Sequence, residues 1–160
     1  HLRAGYVVSH TGGLPPRTDP RKVTYPPEPD GVVADVLRVL KAGAERAVAA
    51  GVAPSSALLD PTLDFGKTTA HSLRLVRSTA QVVELGYPVM QAISRKDFVG
   101  ETLDVEIDDR LEGSLAATAV AAWEGAVLFR THDVLATRRT LDMVASIKGI
   151  RAPATARRGL

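Results

Sequence analysis

Four clusters of polar residues carry side chains that can do chemistry: His10; Asp60 with Asp64; Ser94-Arg95-Lys96; and Arg130-Thr131-His132-Asp133. Arginine holds phosphate oxygens in a planar fork, and lysine acts as a point charge. With Lys67 added, the cations outnumber Asp60, Asp64 and Asp133, so the set suits an anionic ligand, phosphate foremost. Other chemistries fit poorly. Gly66-Lys67-Thr68 is similar to the end of a phosphate-binding P-loop. Pro61 stands where that loop needs its first glycine, and proline has no N–H to offer. No His, Asp or Glu cluster has metal-ligand spacing. Ser94 lacks the elbow motif of a serine hydrolase. His71 falls near a helix start, where an exposed or capping side chain is expected.

Each cluster closes an apolar run that reads as a strand. The runs are 6–10, 57–60, 88–93 and 126–129. Between them lie helical patterns. Val32, Val33, Val36, Leu37, Leu40, Ala44, Ala47 and Val48 recur at helical spacing, with Asp30 placed to cap and Gly51 to stop. Leu73, Val76, Ala80 and Val83 mark a second buried stripe, which Gly86 ends. A loop and then an alanine-rich helix at about 109–124 follow. Asp133 is placed to cap a last helix, with Val134, Leu141, Val144 and Ile147 facing in and Gly149 closing it.

The order β-α-β-α-β-α-β-α implies right-handed crossovers and a parallel sheet. In such folds the C-terminal strand ends and the loops after them form the binding face. All four polar clusters therefore fall on one surface, where helix N-termini add N–H donors. A Gly/Pro loop at 11–29 holds six of the ten prolines. Loops of that length are usually functional or disordered.

Composition narrows the class further. The chain has 160 residues, 45% apolar and 24% charged, which describes a folded domain. The absence of cysteine excludes disulfide scaffolds, thiolate metal sites and thiol catalysis, and fits a reducing compartment such as the cytoplasm. No run of 18 apolar residues is present to span a membrane, and no charged-then-apolar leader opens the chain. The net charge is only +2, and Arg151, Arg157 and Arg158 of the tail hold much of the excess. The few aromatics are scattered, so a nucleic-acid surface is not expected.

Leu59-Asp60-Pro61, Phe65-Gly66-Lys67-Thr68, Ser94-Arg95-Lys96 and Arg130-Thr131-His132-Asp133 resemble dihydropteroate synthase in order and spacing. Val7-Val8-Ser9-His10 looks like that family's fifth strand, with Ser9 in place of Met. Arg110-Leu111-Glu112-Gly113-Ser114 is similar to the start of one of its helices. The resemblance implies a (β/α)8 TIM barrel. Residues 1–149 would be its C-terminal half, about the last four βα units, followed by a basic tail at 150–160. It also implies a transferase of folate synthesis, joining 6-hydroxymethyl-7,8-dihydropterin diphosphate to p-aminobenzoate with release of pyrophosphate. Asp60, Lys96 and Arg130 would then bind the pterin, and Arg130 and His132 the diphosphate. Phe65, Ser94 and Arg95 would lie towards the aminobenzoate. Mg²⁺ would assist the leaving group from a ligand outside these residues, in a cytoplasmic homodimer. No protein nucleophile is required, because the substrate amine attacks.

The family's Asp-Pro-Gly-x-Gly-Phe segment departs here, with Thr62 and Asp64 in place of both glycines. Glycine gives positive φ and close backbone approach, which neither replacement does cheaply. Asp64 also brings a negative charge beside Phe65, where the family takes an aromatic carboxylate, and like charges repel in a desolvated site. The departures look like a divergent second paralogue of the kind seen in actinobacteria. A catalytically inactive or repurposed pterin-binding homologue, acting through binding or oligomerisation, is therefore the alternative. Such a barrel needs about 250 residues, so the sequence is expected to be the C-terminal half of a longer chain, or to pair with a second copy.

Overall fold

Tyr6-Val7-Val8-Ser9 is a β-branched run too short for a helix, and it forms β1 (Tyr6–Ser9). The computed structural model describes residues 4–12, 23–27 and 31–158. β2 (Ala57–Asp60) pairs with β1 in parallel, Val8 beside Leu59 and Ser9 beside Asp60. β3 (Met90–Gln91) and β4 (Leu128–Phe129) form a second parallel pair. A single bridge from Leu59 to Val89 joins the two, giving the spatial order β1-β2-β3-β4. The parallel β/α alternation is as expected, although β3 and β4 are each shorter than their apolar runs.

α1 (Val32–Ala49) lies on β1 and β2 and buries Val32, Val33, Val36, Leu40, Ala44 and Ala47. Burying one such leucine contributes about 2 kcal/mol. Gly43 lets α1 approach closely, because a Cβ there would collide with Val8. Gly51, at φ +97°, ends the helix region in the left-handed conformation. The N-cap position is Gly31. Asp30 and much of the 11–29 loop lie outside the described residues.

The second helix is two helices, α2 (Thr69–Arg77) and α3 (Thr79–Val83). The Ser78 N–H reaches back to the carbonyls of Arg74 and Leu75, and the Thr79 hydroxyl donates to the Val76 carbonyl at 2.8 Å. These local bonds interrupt the helix. The buried face is also rotated from the expected stripe: Leu75 is fully buried, whereas Leu73 is 37% exposed.

Another difference is α4 (Asp97–Leu103), followed by a single 3-10 turn at Ile107–Asp109, where a plain loop was expected. Its first N–H groups are satisfied by a carboxylate from a distant loop, a support invisible to local pattern. α5 (Leu111–Trp123) packs its small residues closely, with Gly113 against Val99 and Leu103, and buries Ser114, Thr118 and Ala121.

α6 (Val134–Ile147) packs mainly on α5 and buries only Thr137 and Val144. Val134 is 67% and Ile147 61% exposed, against expectation. The physical reason is position: β4 is the outermost strand of the described sheet, so little packs over the outward part of the stripe. Asp133 occupies the N-cap position but its side chain makes no capping bond. The core unites Val8, Leu59, Val89 and Ile93 with the inner faces of α1, α2, α4 and α5.

Candidate functional site

The loops after β1 and β2 are held together by an ammonium group. Lys67 Nζ donates to the carbonyls of His10 (2.8 Å), Phe65 (2.9 Å) and Thr62 (3.1 Å), and the residue is 2% exposed. Burial pulls its pKa down to about 7, against the favourable charge of Asp60. Lys67 is thus a brace between loops and not a cation of the binding face. Gly12 and Gly66, both at positive φ, touch where a Cβ on either would meet the other's backbone. Nothing in the Gly-Lys-Thr sequence distinguishes a phosphate ligand from such a brace.

His10 is buried, and its Nε2 lies 2.9 Å from Asp35 Oδ2 on α1. Burial, then the Lys67 charge, lower its pKa against the pull of Asp35. Tyr25 donates to the Gly66 carbonyl at 3.0 Å and stands edge-on to His71 at 5.1 Å between centroids. Burial, then the charge of Asp35, push the Tyr25 pKa up to about 12. Asp35 and Tyr25 escape sequence reasoning. An acidic residue in a first helical turn and a tyrosine in a Pro-rich loop both have ordinary explanations.

Asp60 ends β2 with its carboxylate buried. Oδ1 accepts the Thr62 N–H at 2.8 Å, and the Thr62 hydroxyl donates to the Asp60 carbonyl at 2.9 Å. Burial raises the carboxyl pKa above its ordinary value, while the Thr62 N–H and the charges of Lys96, Arg130 and Lys67 oppose the rise. The structure therefore brings Asp60, Lys96 and Arg130 into one electrostatic neighbourhood. Lys96 Nζ donates to the Leu63 carbonyl at 2.8 Å and stands 4.4 Å over the Phe65 ring. Burial lowers the Lys96 pKa, opposed by Asp64 and Asp60. Arg130 follows β4, anchored through its backbone N–H to the Gln91 carbonyl at 3.0 Å, and its side chain is exposed.

Thr62 and Asp64 both sit at positive φ, 54° and 68°. The loop thus keeps a left-handed path without glycine, at a cost of order 1 kcal/mol per residue. The Asp64 carboxylate turns to the start of α4, where Oδ2 accepts the N–H groups of Asp97 (2.7 Å) and Phe98 (3.4 Å). Its Oδ1 accepts the Ser72 hydroxyl at 3.0 Å. These bonds form a non-local cap on α4.

Ser94 and Arg95 are directed at the fourth strand's loop. Ser94 Oγ accepts the His132 N–H at 3.2 Å and lies 3.0 Å from His132 Nδ1. Arg95 forks onto Asp133, Nε to Oδ2 at 3.1 Å and Nη2 to Oδ1 at 3.0 Å, and reaches Asp108 at 3.4 Å. Arg95 itself has φ 55° and donates its N–H to Ser114 Oγ at 3.0 Å. Arg110 pairs with Asp97 at 2.8 Å and donates to the Arg95 carbonyl at 3.1 Å. His71 completes a capping box with Thr68 at the start of α2, as expected.

Residues 1–132 match the family described as Pterin binding enzyme. The chain belongs to that family. Within the pterin-binding enzymes it is similar to the dihydropteroate synthases. It is 57% identical over 159 residues to a Mycobacterium leprae protein named Inactive dihydropteroate synthase 2, covering 99% of this chain and 55% of the relative. The dihydropteroate synthase of Thermus thermophilus, solved in complex with 4-aminobenzoate, superposes with a TM-score of 0.79 at 38% identity, over 89% of this chain and 56% of that one. That of Yersinia pestis, solved with a pterine-sulfa conjugate, gives 0.80 at 30% identity, over 92% and 53%. The chain spans about half the length of the curated relatives it matches. No described helix is long and apolar enough to cross a membrane.

Proposed function

We propose that this chain supplies the pterin- and phosphate-binding half of a dihydropteroate synthase-like (β/α)8 barrel. Residues 1–149 would form its last four βα units, with 150–160 as a tail. The carrying observation is Asp60, a buried carboxylate opposed by the charges of Lys96 and Arg130. A buried acceptor with fixed geometry suits the N–H edge of a flat heterocycle, and Lys96 suits its carbonyl side. Arg130 and His132 suit the diphosphate, whose growing charge they would stabilise by electrostatic preorganisation. In the reaction the acceptor amine forms a C–N bond at the pterin methylene as the C–O bond to diphosphate breaks, and the amine gives up a proton. Phe65 is assigned to the acceptor side, and Ser94 and Arg95 would border it from positions fixed by His132 and Asp133. The reading draws support from the pterin-binding family match and from the neighbours solved with 4-aminobenzoate and with a pterine-sulfa conjugate.

Mg²⁺, a homodimer and a cytoplasmic location belong to the same proposal. Among the described residues no group of three or more His, Asp or Glu side chains could hold a metal ion, and the Mg²⁺ ligand is proposed to lie outside them. A second reading, pterin binding without condensation, is favoured by the carboxylate of Asp64 at the acceptor side and by the naming of the mycobacterial relatives as inactive. Calorimetric titration of the complete protein with 6-hydroxymethyl-7,8-dihydropterin diphosphate tests the shared part. Saturable binding is expected, and its absence overturns the pterin assignment. Pyrophosphate release on adding p-aminobenzoate then separates the synthase from the second reading.

A further inference from the structure

Asp64 has the position, charge and supports of a residue that sets what the site accepts beside the pterin. It follows Leu63, whose carbonyl holds Lys96, and precedes Phe65, whose ring Lys96 covers. Its carboxylate is fixed by the N–H groups of Asp97 and Phe98 and by the Ser72 hydroxyl, and the Ser72 Oγ also takes the Asp64 N–H at 3.1 Å. The side chain is therefore not free to swing aside when a ligand arrives. The neighbouring guanidinium groups are engaged elsewhere, Arg95 with Asp133 and Asp108, and Arg110 with Asp97. Asp64 is foremost among the charges that favour the ammonium form of Lys96.

A carboxylate brought to the Phe65 ring would thus share Lys96 with a carboxylate that is already fixed. Like charges sharing one cation in a partly desolvated site repel. We infer that Asp64 is a specificity-determining residue, which turns the acceptor side away from aromatic carboxylates and towards an uncharged aromatic amine. The inference rests on the acceptor-side assignment of Phe65 made above. It goes further in naming the ligand class and the residue that selects it.

The test compares two near-isosteric ligands, p-aminobenzoate and its neutral amide p-aminobenzamide. Each is titrated into the complete protein with and without the pterin diphosphate. The amide is expected to bind tighter by about tenfold or more. Asp64→Asn, which removes the charge and retains an acceptor for α4, should bring the two ligands to near-equal affinity. Asp64→Gly, at a φ that glycine adopts freely, should favour the benzoate. Wild type binding the benzoate as tightly as the amide overturns the inference, as does an unchanged ratio in both variants or no binding of either ligand to any form. Failure of the pterin diphosphate to bind while the amide preference persists would instead overturn the pterin reading alone.

Discussion

The ammonium of Lys67 and the carbonyl of His10, 57 positions apart in sequence, meet at 2.8 Å and tie the end of β1 to the loop after β2. Two further carbonyls, of Thr62 and Phe65, complete the shell. Lys67→Met keeps the aliphatic stem and takes the ammonium from three carbonyls, of which that of Thr62 still accepts the Phe65 N–H at 3.3 Å. Such a loss costs about 3 kcal/mol. Urea denaturation should show a correspondingly lower midpoint at unchanged slope.

Asp60 opposes stability for the sake of its site. Burial raises its folded-state pKa above the unfolded 3.8, so the folded chain binds the proton more tightly. Its contribution is most favourable below pH 3.8 and is lost as pH rises through the raised value. Asp60→Asn should melt at a higher temperature than wild type at about pH 7. The gap should close as pH falls towards about 4, and pterin diphosphate binding should drop by at least about tenfold. A variant that melts lower at neutral pH would contradict the burial cost.

Ser94 positions His132. Its hydroxyl accepts the His132 N–H and is the hydrogen-bond partner of Nδ1, so the neutral ring is expected to carry its proton on Nε2. Nitrogen-15 NMR of the imidazole reads the tautomer directly. Ser94→Ala should mix the tautomers and weaken pyrophosphate binding about fivefold, and Ser94→Thr should restore both.

Gly43 gives a prediction whose sign is diagnostic. In an isolated helix Gly→Ala stabilises by about 1 kcal/mol. Here the added methyl would collide with Val8 across the α1–β1 contact. Gly43→Ala should therefore destabilise, by about 1–3 kcal/mol, as measured by thermal or urea unfolding.

The strands and their polar ends were legible because an apolar run closed by Asp60 or by Ser94-Arg95-Lys96 is a local pattern. α1 was legible for the same reason, since Val36, Leu40 and Ala44 repeat at its own period. What escaped was settled by distant partners. α4 takes its cap from Asp64, 33 positions before Asp97. Lys67 looks like any loop cation until His10 is brought beside it. Arg95 looks like a ligand-binding cation until Asp133 is found in its fork, and that same contact removes Asp133 from its expected capping bond. The stripe of α6 shows in the sequence as an amphipathic pattern, but periodicity does not say that something covers Val134 and Ile147.

A brace made of main-chain carbonyls does not recognise the residues that carry them. Lys67 holds the loop by the main-chain oxygens of Thr62 and Phe65, which other residues at those positions would offer equally well. The loop can therefore exchange its chemistry without surrendering its place, as Thr62 and Asp64 do at backbone angles suited to glycine. Such an arrangement separates inheritance of shape from inheritance of activity, and lets a family keep one scaffold while a member drifts to a new ligand.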